Sequence, residues 1–367
     1  MHGGPFYRLA SWLGIRKRGW RALVLVTLTS VVPFLMLLAT GGAYLAGLFL
    51  QDWGAWAKFF IAPVLLTLAE RPIAFAIDEC TSLLFRIPLI AAVSKADATT
   101  AIESARRRSA SGMAELVCLL IALSASIINA YNFLGGHAPP WALSQNALTT
   151  VGIWCLLVSN TAYWFLLGRL VWKHLVWSGF LADIADCRLR LVVTHPDGHA
   201  GLGFLGFYPA GYSLFTLAVS CVAAASVGHV MENGRMTPTF FTAICAGWLI
   251  IITLYYALPL LRLSAIIAQL KRKAILVSMT KATNYERWSE REMLGSNIYS
   301  DQQDEQFTDL RDAKPMWIAS TKLSSFLINR SNLWPLFVPA LLPLLAAGAL
   351  FLPYSQLGPM VKRLLLL

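Results

Sequence analysis

The chain has 367 residues, of which 57% are hydrophobic and 13% are charged, and its formal net charge is +11. A soluble domain carries about 45–50% apolar and about 25% charged residues, so this composition excludes a soluble globular protein and indicates a membrane protein. Basic residues concentrate in the cytoplasmic loops of membrane proteins, which explains the positive charge without a nucleic-acid partner.

Seven apolar stretches are long enough to cross a bilayer, since about 20 helical residues cover ~30 Å of hydrocarbon. They lie at roughly 22–50, 58–78, 114–134, 149–171, 207–230, 237–261 and 334–354. The first is too long for a signal-peptide core and no obvious soluble domain follows it, so we expect a retained span. The sequence therefore predicts an all-α fold class: a polytopic transmembrane helical bundle of about seven spans, with residues 1–367 forming a single integral membrane domain.

The positions of Lys and Arg predict how this bundle is oriented. With the N-terminus in the cytoplasm, 25 of the 30 basic residues fall on the cytoplasmic side, as expected from the positive-inside rule. If 58–78 re-entered instead of crossing, every later loop would change sides and this bias would disappear. We therefore expect a multi-pass protein of a bacterial inner (plasma) membrane with a cytoplasmic N-terminus, while the side of the C-terminus stays open.

Three segments, 79–113, 172–206 and 262–333, are expected to form a helical cytoplasmic layer. Thr100 and Glu103 have capping-box spacing and predict a helix that starts there and continues into the third span. Segment 262–333 begins with "RLSAIIAQLKRKAIL", which is apolar at helical spacing and has a basic face. This pattern is typical of an amphipathic helix on anionic lipid and equally of a cytoplasmic extension of the sixth span. The same segment is a candidate surface for a cytoplasmic protein partner.

The stretch "LTLAERPIAF" places an acid, a base and a proline side by side within the second span. Glu70 lies twelve residues after Lys58, roughly 18 Å along a helix, and Arg71 is its neighbour. Pro72 lacks the backbone donor of a normal helical residue, which predicts a helix that is kinked or broken here.

Charges at membrane depth and broken helices are typical of transporter sites. We therefore predict that Glu70 and Arg71 belong to an ion or substrate pathway. Asn160, in "VSNTAYW" near the middle of the fourth span, is the third pathway candidate. The alternative is that these side chains find partners on other helices and only stabilise the bundle.

The stretch "VVTHPDGHAGLGFLG" combines two histidines, an aspartate and four glycines. The letters "GLGFLG" match the dinucleotide-binding pattern G-x-G-x-x-G, but that site needs a βαβ unit and here a membrane span follows. His195, Asp197 and His199 are weak metal candidates, because Pro196 and Gly198 disfavour a regular strand and no fourth ligand stands nearby. No metal and no other cofactor is predicted.

The hypothesis that we favour for this stretch is a turn at the cytoplasmic mouth of the fifth span. An aspartate followed by a glycine favours a turn, and the later glycines allow sharp bending or close helix packing. The predicted cytoplasmic gate loop contains His195, Asp197, Gly201, Gly203 and Gly206.

Three pieces of the chain carry a resemblance. "IAPVLLTLAERPI" is similar to a "PLLxxAE" segment that places Pro63 and Glu70, "LRLVVTHPDGHAGLGFLG" to a signature of "HPD", a short spacer and "GLGFL", and "LPLLAAGALFLPYSQLGPMVKRLLLL" to a family ending. On these pieces the chain resembles a family of uncharacterised bacterial multi-span inner-membrane proteins. The family pattern has a small residue or glycine at the position of His199, which does not support a metal ligand there. The resemblance implies fold and location and no known activity.

The function predicted from these features is passage of an ion or small solute, which favours a transporter over an enzyme. Two alternatives stay open: a membrane-associated enzyme with a His195 and Asp197 site at the cytoplasmic face, and a membrane scaffold or sensor. The expected partners are bilayer lipids, with homo-oligomer formation left open. The sequence names no substrate.

Overall fold

The computed structural model is almost entirely helical over the residues that it describes, which confirms the predicted fold class. The described residues are 5–12, 14–15, 17–144, 147–232, 234, 236–299 and 311–351. The α-helices are α1 (Pro5–Trp12), α2 (Arg18–Val26), α3 (Val32–Gln51), α4 (Trp53–Ala55), α5 (Ala62–Arg86), α6 (Lys95–Ser109), α7 (Gly112–Asn132), α8 (Thr150–Trp154), α9 (Thr161–Ala185), α10 (Ser213–Glu232), α11 (Pro238–Ala257), α12 (Leu261–Leu294), α13 (Lys314–Lys322) and α14 (Arg330–Phe351). Two short antiparallel strands, β1 (Leu143–Ser144) and β2 (Ala147–Leu148), pair with each other.

Shorter helical segments of other types connect several of these helices. The π-helical segments are Thr27–Val31, Trp56–Ile61, Phe133–His137 and Cys155–Asn160, and the 3-10 segments are Ala92–Ser94, Gly203–Tyr212 and Leu258–Leu260. Residues 300–310 of the predicted partner surface and the tail from 352 onward, which carries part of the family resemblance, lie outside the described residues.

Seven helical runs in the described part of the chain are long and apolar enough to cross a membrane. These first to seventh spans are Arg18–Gln51, Trp53–Arg86, Gly112–Gly136, Thr150–Ala185, Gly203–Glu232, Pro238–Leu294 and Asn332–Phe351. The chain is therefore a membrane protein. Most helices extend beyond the predicted apolar stretches, because the helical backbone continues into the polar residues that flank them.

The two ends of the bundle differ in charge. At one end the first, third and fifth spans begin and the second and fourth spans end, and α6 and α12 lie there. We call this the basic end, since it carries most of the arginines and lysines. At the other end, called the opposite end, the first span meets the second around Asp52, and the described residues 137–144 and 147–149 lie between the third span and the fourth.

The helix predicted to run from Thr100 into the third span is wrong in both its start and its continuity. α6 already begins at Lys95, and the Thr100 hydroxyl donates to the carbonyl of Ala96 within it. The helix ends at Ser109, and the Ser111 side chain then accepts a hydrogen bond from the backbone N–H of Ala114 to cap α7. A capping residue such as Ser111 between the two segments favours two separate helices over one continuous helix.

At Pro72 we predicted a helix that is kinked or broken, and the structure shows that it is not broken. α5 runs from Ala62 to Arg86 through Pro72 without an interruption. Transmembrane helices tolerate a proline when neighbouring helices pack against the turn that it affects. Gly211 of the fifth span provides such packing, since a Cβ atom built on it would lie 2.8 Å from the Pro72 carbonyl oxygen.

The sixth span continues into α12 through the 3-10 turn at Leu258–Leu260. Arg262 at the start of α12 lies 3.2 Å from Asp186, the residue that follows α9. Further along, the Lys271 ammonium donates to the Leu323 carbonyl at 2.7 Å. These contacts favour an extension of the sixth span over a helix lying on lipid.

Three π-helical segments contact one another inside the bundle, one each from the first, second and fourth spans: Thr27–Val31, Trp56–Ile61 and Cys155–Asn160. A π-helical turn shifts the backbone hydrogen bonds to i→i+5. Backbone groups that lose a regular partner in such a turn need another donor or acceptor, since buried backbone groups are almost always paired.

Side chains of neighbouring spans supply these partners. The Trp154 indole N–H donates to the Leu28 carbonyl at 2.9 Å, and the Ser159 hydroxyl donates to the Thr29 carbonyl at 2.8 Å. The Thr29 hydroxyl lies 2.6 Å from the Phe59 carbonyl oxygen of the second span and 2.8 Å from the Leu25 carbonyl oxygen of its own helix. The first, second and fourth spans are therefore held at one level by side chains that bond to backbone carbonyls.

Aromatic side chains fill the bundle near the basic end. Trp177, Tyr208 and Tyr256 are fully buried, and the His174 ring stacks on Tyr255 with ring centroids 4.1 Å apart. A His174 ring nitrogen lies 3.0 Å from the Tyr255 carbonyl oxygen, and the Tyr208 hydroxyl donates to the Tyr256 carbonyl at 2.6 Å. These contacts join the fourth, fifth and sixth spans.

Replacing Thr29 by Val tests the contact between the first two spans. The variant keeps the shape of the side chain but leaves the buried Phe59 carbonyl without its donor, so we expect the free energy of unfolding to fall by about 1–3 kcal/mol. Thr27→Val is the matched control, since the exposed Thr27 hydroxyl donates to Leu23 in its own helix and its loss should change stability by about 0.5 kcal/mol or less. The free energy of unfolding of both variants is measured in detergent. Equal losses of stability in the two variants would contradict the contact between Thr29 and Phe59.

Candidate functional site

Glu70 does not pair with its neighbour Arg71. Its carboxylate lies 3.1 Å from Arg169 and 3.7 Å from Lys173, both on α9, whereas Arg71 is exposed. Neither partner was predicted. The sequence did contain an indication of the pair with Arg169, however. Arg169 falls inside the apolar stretch predicted for the fourth span, and a charge there needs an acid at the same depth.

Arg169 connects two carboxylates. Its guanidinium lies 3.2 Å from Glu115 on α7 as well as 3.1 Å from Glu70, and its side chain is only 5% exposed. The Phe6 ring of α1 covers the guanidinium at 4.4 Å, and the Phe6 backbone N–H donates to Glu115 at 2.7 Å. With Lys173, the cluster contains two acids and two bases and is neutral overall. We call these four charged residues the Arg169 cluster.

The Arg169 cluster lies near the basic end of the bundle rather than at its middle. Glu115 stands in the first turn of α7. Glu70 is seventeen residues from the start of the second span, which is roughly 25 Å along a helix. The second span starts earlier than the predicted 58–78 stretch, and Glu70 is correspondingly further from the opposite end.

Asn160 belongs to a separate polar network between the third and fourth spans. Its amide donates to the Ser126 hydroxyl at 2.8 Å, and the Asn129 amide donates to the Asn160 side-chain oxygen at 3.4 Å. The Ser126 and Thr161 hydroxyls are 2.9 Å apart. Asn160, Ser126 and Thr161 are buried. We call these residues with Asn129 the Asn160 network, and within the described ranges no hydrogen bond joins it to Glu70, whose partner is Arg169.

A cavity of about 730 Å³ opens at the opposite end, between the first three spans and the fifth. Its polar lining includes Gln51, Asp52, Lys58, Asn129, His229 and Glu232, and its apolar lining includes Phe59, Phe133, Trp141 and Val222. We call it the Lys58 cavity. A second cavity of about 730 Å³ shares Gln51 and Glu232 with it and lies between the first two spans and the fifth and seventh.

Asp52 organises the mouth of the Lys58 cavity. Its carboxylate accepts hydrogen bonds from the backbone N–H groups of Gly54 and Ala55 and from the Trp141 indole, at 2.8, 3.1 and 2.9 Å. A His229 ring nitrogen lies 3.7 Å away on the facing fifth span. The residue therefore fixes the turn between the first two spans and faces the fifth.

In the predicted gate loop, Asp197 bonds to the backbone of the loop itself. The N–H groups of His199, Gly201 and Gly203 donate to its carboxylate at 2.9, 3.1 and 2.9 Å, and a His195 ring nitrogen lies 2.8 Å away. Burial disfavours the charged carboxylate, but these hydrogen bonds hold the pKa of Asp197 below its ordinary value.

The three weak metal candidates do not act as one ligand set. The ring nitrogens of His199 lie 3.3 Å from the Ser324 carbonyl oxygen and 3.1 Å from the Asn329 side-chain nitrogen, so both already have partners. Across the described ranges, no group of three or more His, Cys, Asp or Glu side chains is placed to hold a metal ion.

The glycines of the loop allow close packing at the basic end. Gly201 has a φ of +98°, which favours glycine. A Cβ atom built on Gly206 would collide with the carbonyl oxygen of Leu327. The loop is therefore packed tightly against the segment before the seventh span.

No protein-family model, curated protein or solved structure matches the chain.

Removing Arg169 should destabilise the protein strongly. Arg169→Met leaves two buried carboxylates with one fewer cation, and the loss of one partner from a buried ion pair costs about 3–5 kcal/mol. Arg107→Met is the control, because the pair of Arg107 with Glu103 is exposed, with 84% and 67% of the side chains accessible. That substitution should cost about 0–1 kcal/mol.

Adding Glu70→Gln and Glu115→Gln to Arg169→Met should restore part of the lost stability, since the stranded charges are then gone. Thermal unfolding in detergent compares the four proteins. If Arg169→Met were as stable as Arg107→Met, the cluster would have no part in holding the bundle together.

The stability contributed by Asp197 should depend on pH. A carboxylate whose pKa is lowered by folding stabilises the protein above its unfolded pKa of about 3.9, and this contribution is lost as pH falls through the folded value. The melting temperature of the wild type should therefore exceed that of Asp197→Asn most above about pH 5, and the difference should shrink towards about pH 3. A difference that stays constant over this range would show that the charge has no role.

Proposed function

We propose that the protein passes an ion or a small solute across a bacterial inner membrane, with its N-terminus and basic end in the cytoplasm. The orientation is supported by the basic residues, which concentrate at one end of the bundle. In membrane proteins, basic residues are enriched on the cytoplasmic side. Arg106, Arg107 and Arg108 at the end of α6 and Lys271, Arg272 and Lys273 in α12 contribute to this charge.

The observation that carries the proposal is a chain of polar contacts from the opposite end into the middle of the bundle. Asn129 lines the Lys58 cavity and donates to Asn160, which in turn donates to Ser126. Buried polar groups at membrane depth often mark solute or ion pathways. The π-helical segment Cys155–Asn160 ends within this network, and such segments occur frequently at functional sites.

The route closes between the Asn160 network and the Arg169 cluster. Ser126 and Glu115 are eleven residues apart on α7, which is roughly 16 Å. Between them the third and fourth spans pack through small side chains: Ala122 is fully buried, and Gly168 faces Cys118, with 3.5 Å from a Cβ built on the glycine to the cysteine side chain. A solute in transit would separate the two spans at this small-residue contact.

The other residues named from the sequence take supporting parts in this proposal. Glu70 acts with Arg169 as a neutral anchor at the basic end, and exposed Arg71 has no part in the route. We assign the loop around Asp197 and His199 the role of a fixed support for the fifth span instead of a moving gate. The reason is that their polar groups are already paired with neighbouring backbone and side chains.

The two alternatives have less support. An enzyme with Asp197 as its acid or base would need a free carboxylate oxygen, and both oxygens accept backbone hydrogen bonds. A scaffold would use the far end of α12, where Met293 and Leu294 are exposed. Co-purification of a partner that is lost when 262–333 is altered would favour the scaffold.

Flux measurements with purified protein in liposomes test the proposal. We expect movement of at least one solute from a panel of inorganic ions and small organic ions. Ser126→Ala should lower that flux, because it removes the acceptor of the Asn160 amide. Ser124→Ala is the matched control on the same helix, since the exposed Ser124 hydroxyl donates to Leu120 of its own helix.

Glu70→Gln serves as a third variant and should affect stability more than flux in the folded fraction. No flux for any solute of the panel would overturn the proposal. Equal flux through Ser126→Ala and Ser124→Ala would remove the Asn160 network from the route.

A further inference from the structure

Lys58 lies in the second span at the level where the three π-helical segments contact one another, although it is only five residues from the start of that span. Its neighbour Phe59 is bonded through its carbonyl to Thr29, and the Thr29 carbonyl accepts from Ser159. Thr29 is eleven residues from the start of the first span at the basic end, and Ser159 is nine residues from the start of the fourth span at the opposite end. These distances are roughly 16 and 14 Å along helices, about half the thickness of the hydrocarbon layer.

The ammonium group of Lys58 faces aromatic rings. It lies 5.5 Å from the centroid of the Tyr163 ring and 5.8 Å from that of Trp164. Ring faces attract a cation, but they carry no compensating charge. In the described part of the chain no Asp or Glu oxygen lies within the 4.0 Å of Lys58 that defines an ion pair.

This makes the half-buried Lys58 different from the two cations of the Arg169 cluster. Arg169 and Lys173 each have a carboxylate within 4.0 Å. A cation at membrane depth without a counter-charge is costly and is by default a functional-site hypothesis. A bound anion would supply the missing charge.

The shape of the Lys58 cavity fits an organic molecule rather than a bare ion. Its volume of about 730 Å³ lies within the ~300–1,000 Å³ range of small-molecule pockets. Phe59, Phe133, Trp141 and Val222 give it apolar walls. Such walls bind the apolar part of a ligand, while the lysine binds its negatively charged group.

The mouth of the cavity selects against ligands with several negative charges. Asp52 and Glu232 both line it, and His229 lies between them at 3.7 and 3.5 Å. Two carboxylates at the mouth repel a second negative charge on a ligand. A single lysine and two acids in the lining disfavour ligands with several negative charges, so an anion with one charge matches Lys58 best.

We propose that the Lys58 cavity binds a monovalent organic anion, a carboxylate with an apolar body, whose charged group pairs with the Lys58 ammonium. This deepens the proposed function by naming its substrate class and rests on it for the passage of the anion. Binding itself is measured in detergent without a gradient, so binding and passage can fail separately.

Binding is tested with a panel of sodium salts: acetate, butyrate, octanoate and benzoate, with the uncharged benzamide, the dianion phthalate and chloride as comparisons. The readouts are calorimetry and the rise in melting temperature that a ligand of the folded state produces. We expect affinity to increase from acetate to the larger monocarboxylates, and benzoate to bind more tightly than benzamide or phthalate.

Lys58→Met should weaken benzoate binding about tenfold or more, because a hydrogen bond to a charged group is lost, and Lys58→Arg should retain part of it. Lys281→Met, on an exposed part of α12, is the control and should bind as the wild type does. Unliganded Lys58→Met should melt at the same temperature as the wild type or higher, since an unpaired buried charge is removed.

Four outcomes would overturn the inference: no binding of any monocarboxylate, equal binding of benzoate and benzamide, unchanged affinity in Lys58→Met, or displacement by chloride at concentrations similar to those of benzoate. The last would assign the site to an inorganic anion. Binding without flux in liposomes would leave the site intact and reject the proposed passage.

Discussion

Charge neutrality inside an apolar bundle is the constraint on which the rest of the arrangement depends. Arg169 satisfies it at the basic end by joining Glu70 of the second span to Glu115 of the third, with Phe6 covering its guanidinium. One side chain therefore connects α1 and three spans. Among the residues that the structure describes, no carboxylate pairs with Lys58. This contrast distinguishes the structural charges of the Arg169 cluster from the candidate binding charge of Lys58.

A second constraint concerns the backbone. The π-helical segments of the first and second spans need partners for displaced carbonyls, and side chains of other spans lie within hydrogen-bond distance: Trp154 for Leu28, Ser159 for Thr29 and Thr29 for Phe59. Serine and threonine in a transmembrane helix usually bond within their own helix. Ser159 bonds across helices instead, and the Thr29 hydroxyl lies close to the Phe59 carbonyl of the second span as well as to Leu25 of its own helix. Such contacts set the relative height of the spans, and so they also affect how deep Lys58 lies.

The sequence was sufficient for the class of fold and for most spans, because about 20 apolar residues in a row have few other uses. It could not assign Glu70 its partner: the adjacent Arg71 projects elsewhere on the helix, and the true partner is 99 residues away. The sequence analysis began the second span at Lys58, because a stretch chosen for its apolar residues stops at a charged residue. The helix of the structure begins earlier, at Trp53. The π-helical turns leave no recognised pattern in the sequence. Hydrogen bonds between helices were the alternative prediction for Asn160, but the residues that form them could be identified only from the structure.

The two cavities of the opposite end lie along one boundary, with the first three spans on one side and the fifth and seventh on the other. Further towards the basic end the second and fifth spans are in close contact, since a Cβ atom built on Gly211 would lie 2.8 Å from the Pro72 carbonyl oxygen. Gln51 of the first span and Glu232 of the fifth span line both cavities. A movement of the first span relative to the fifth would therefore change the volume of both cavities together.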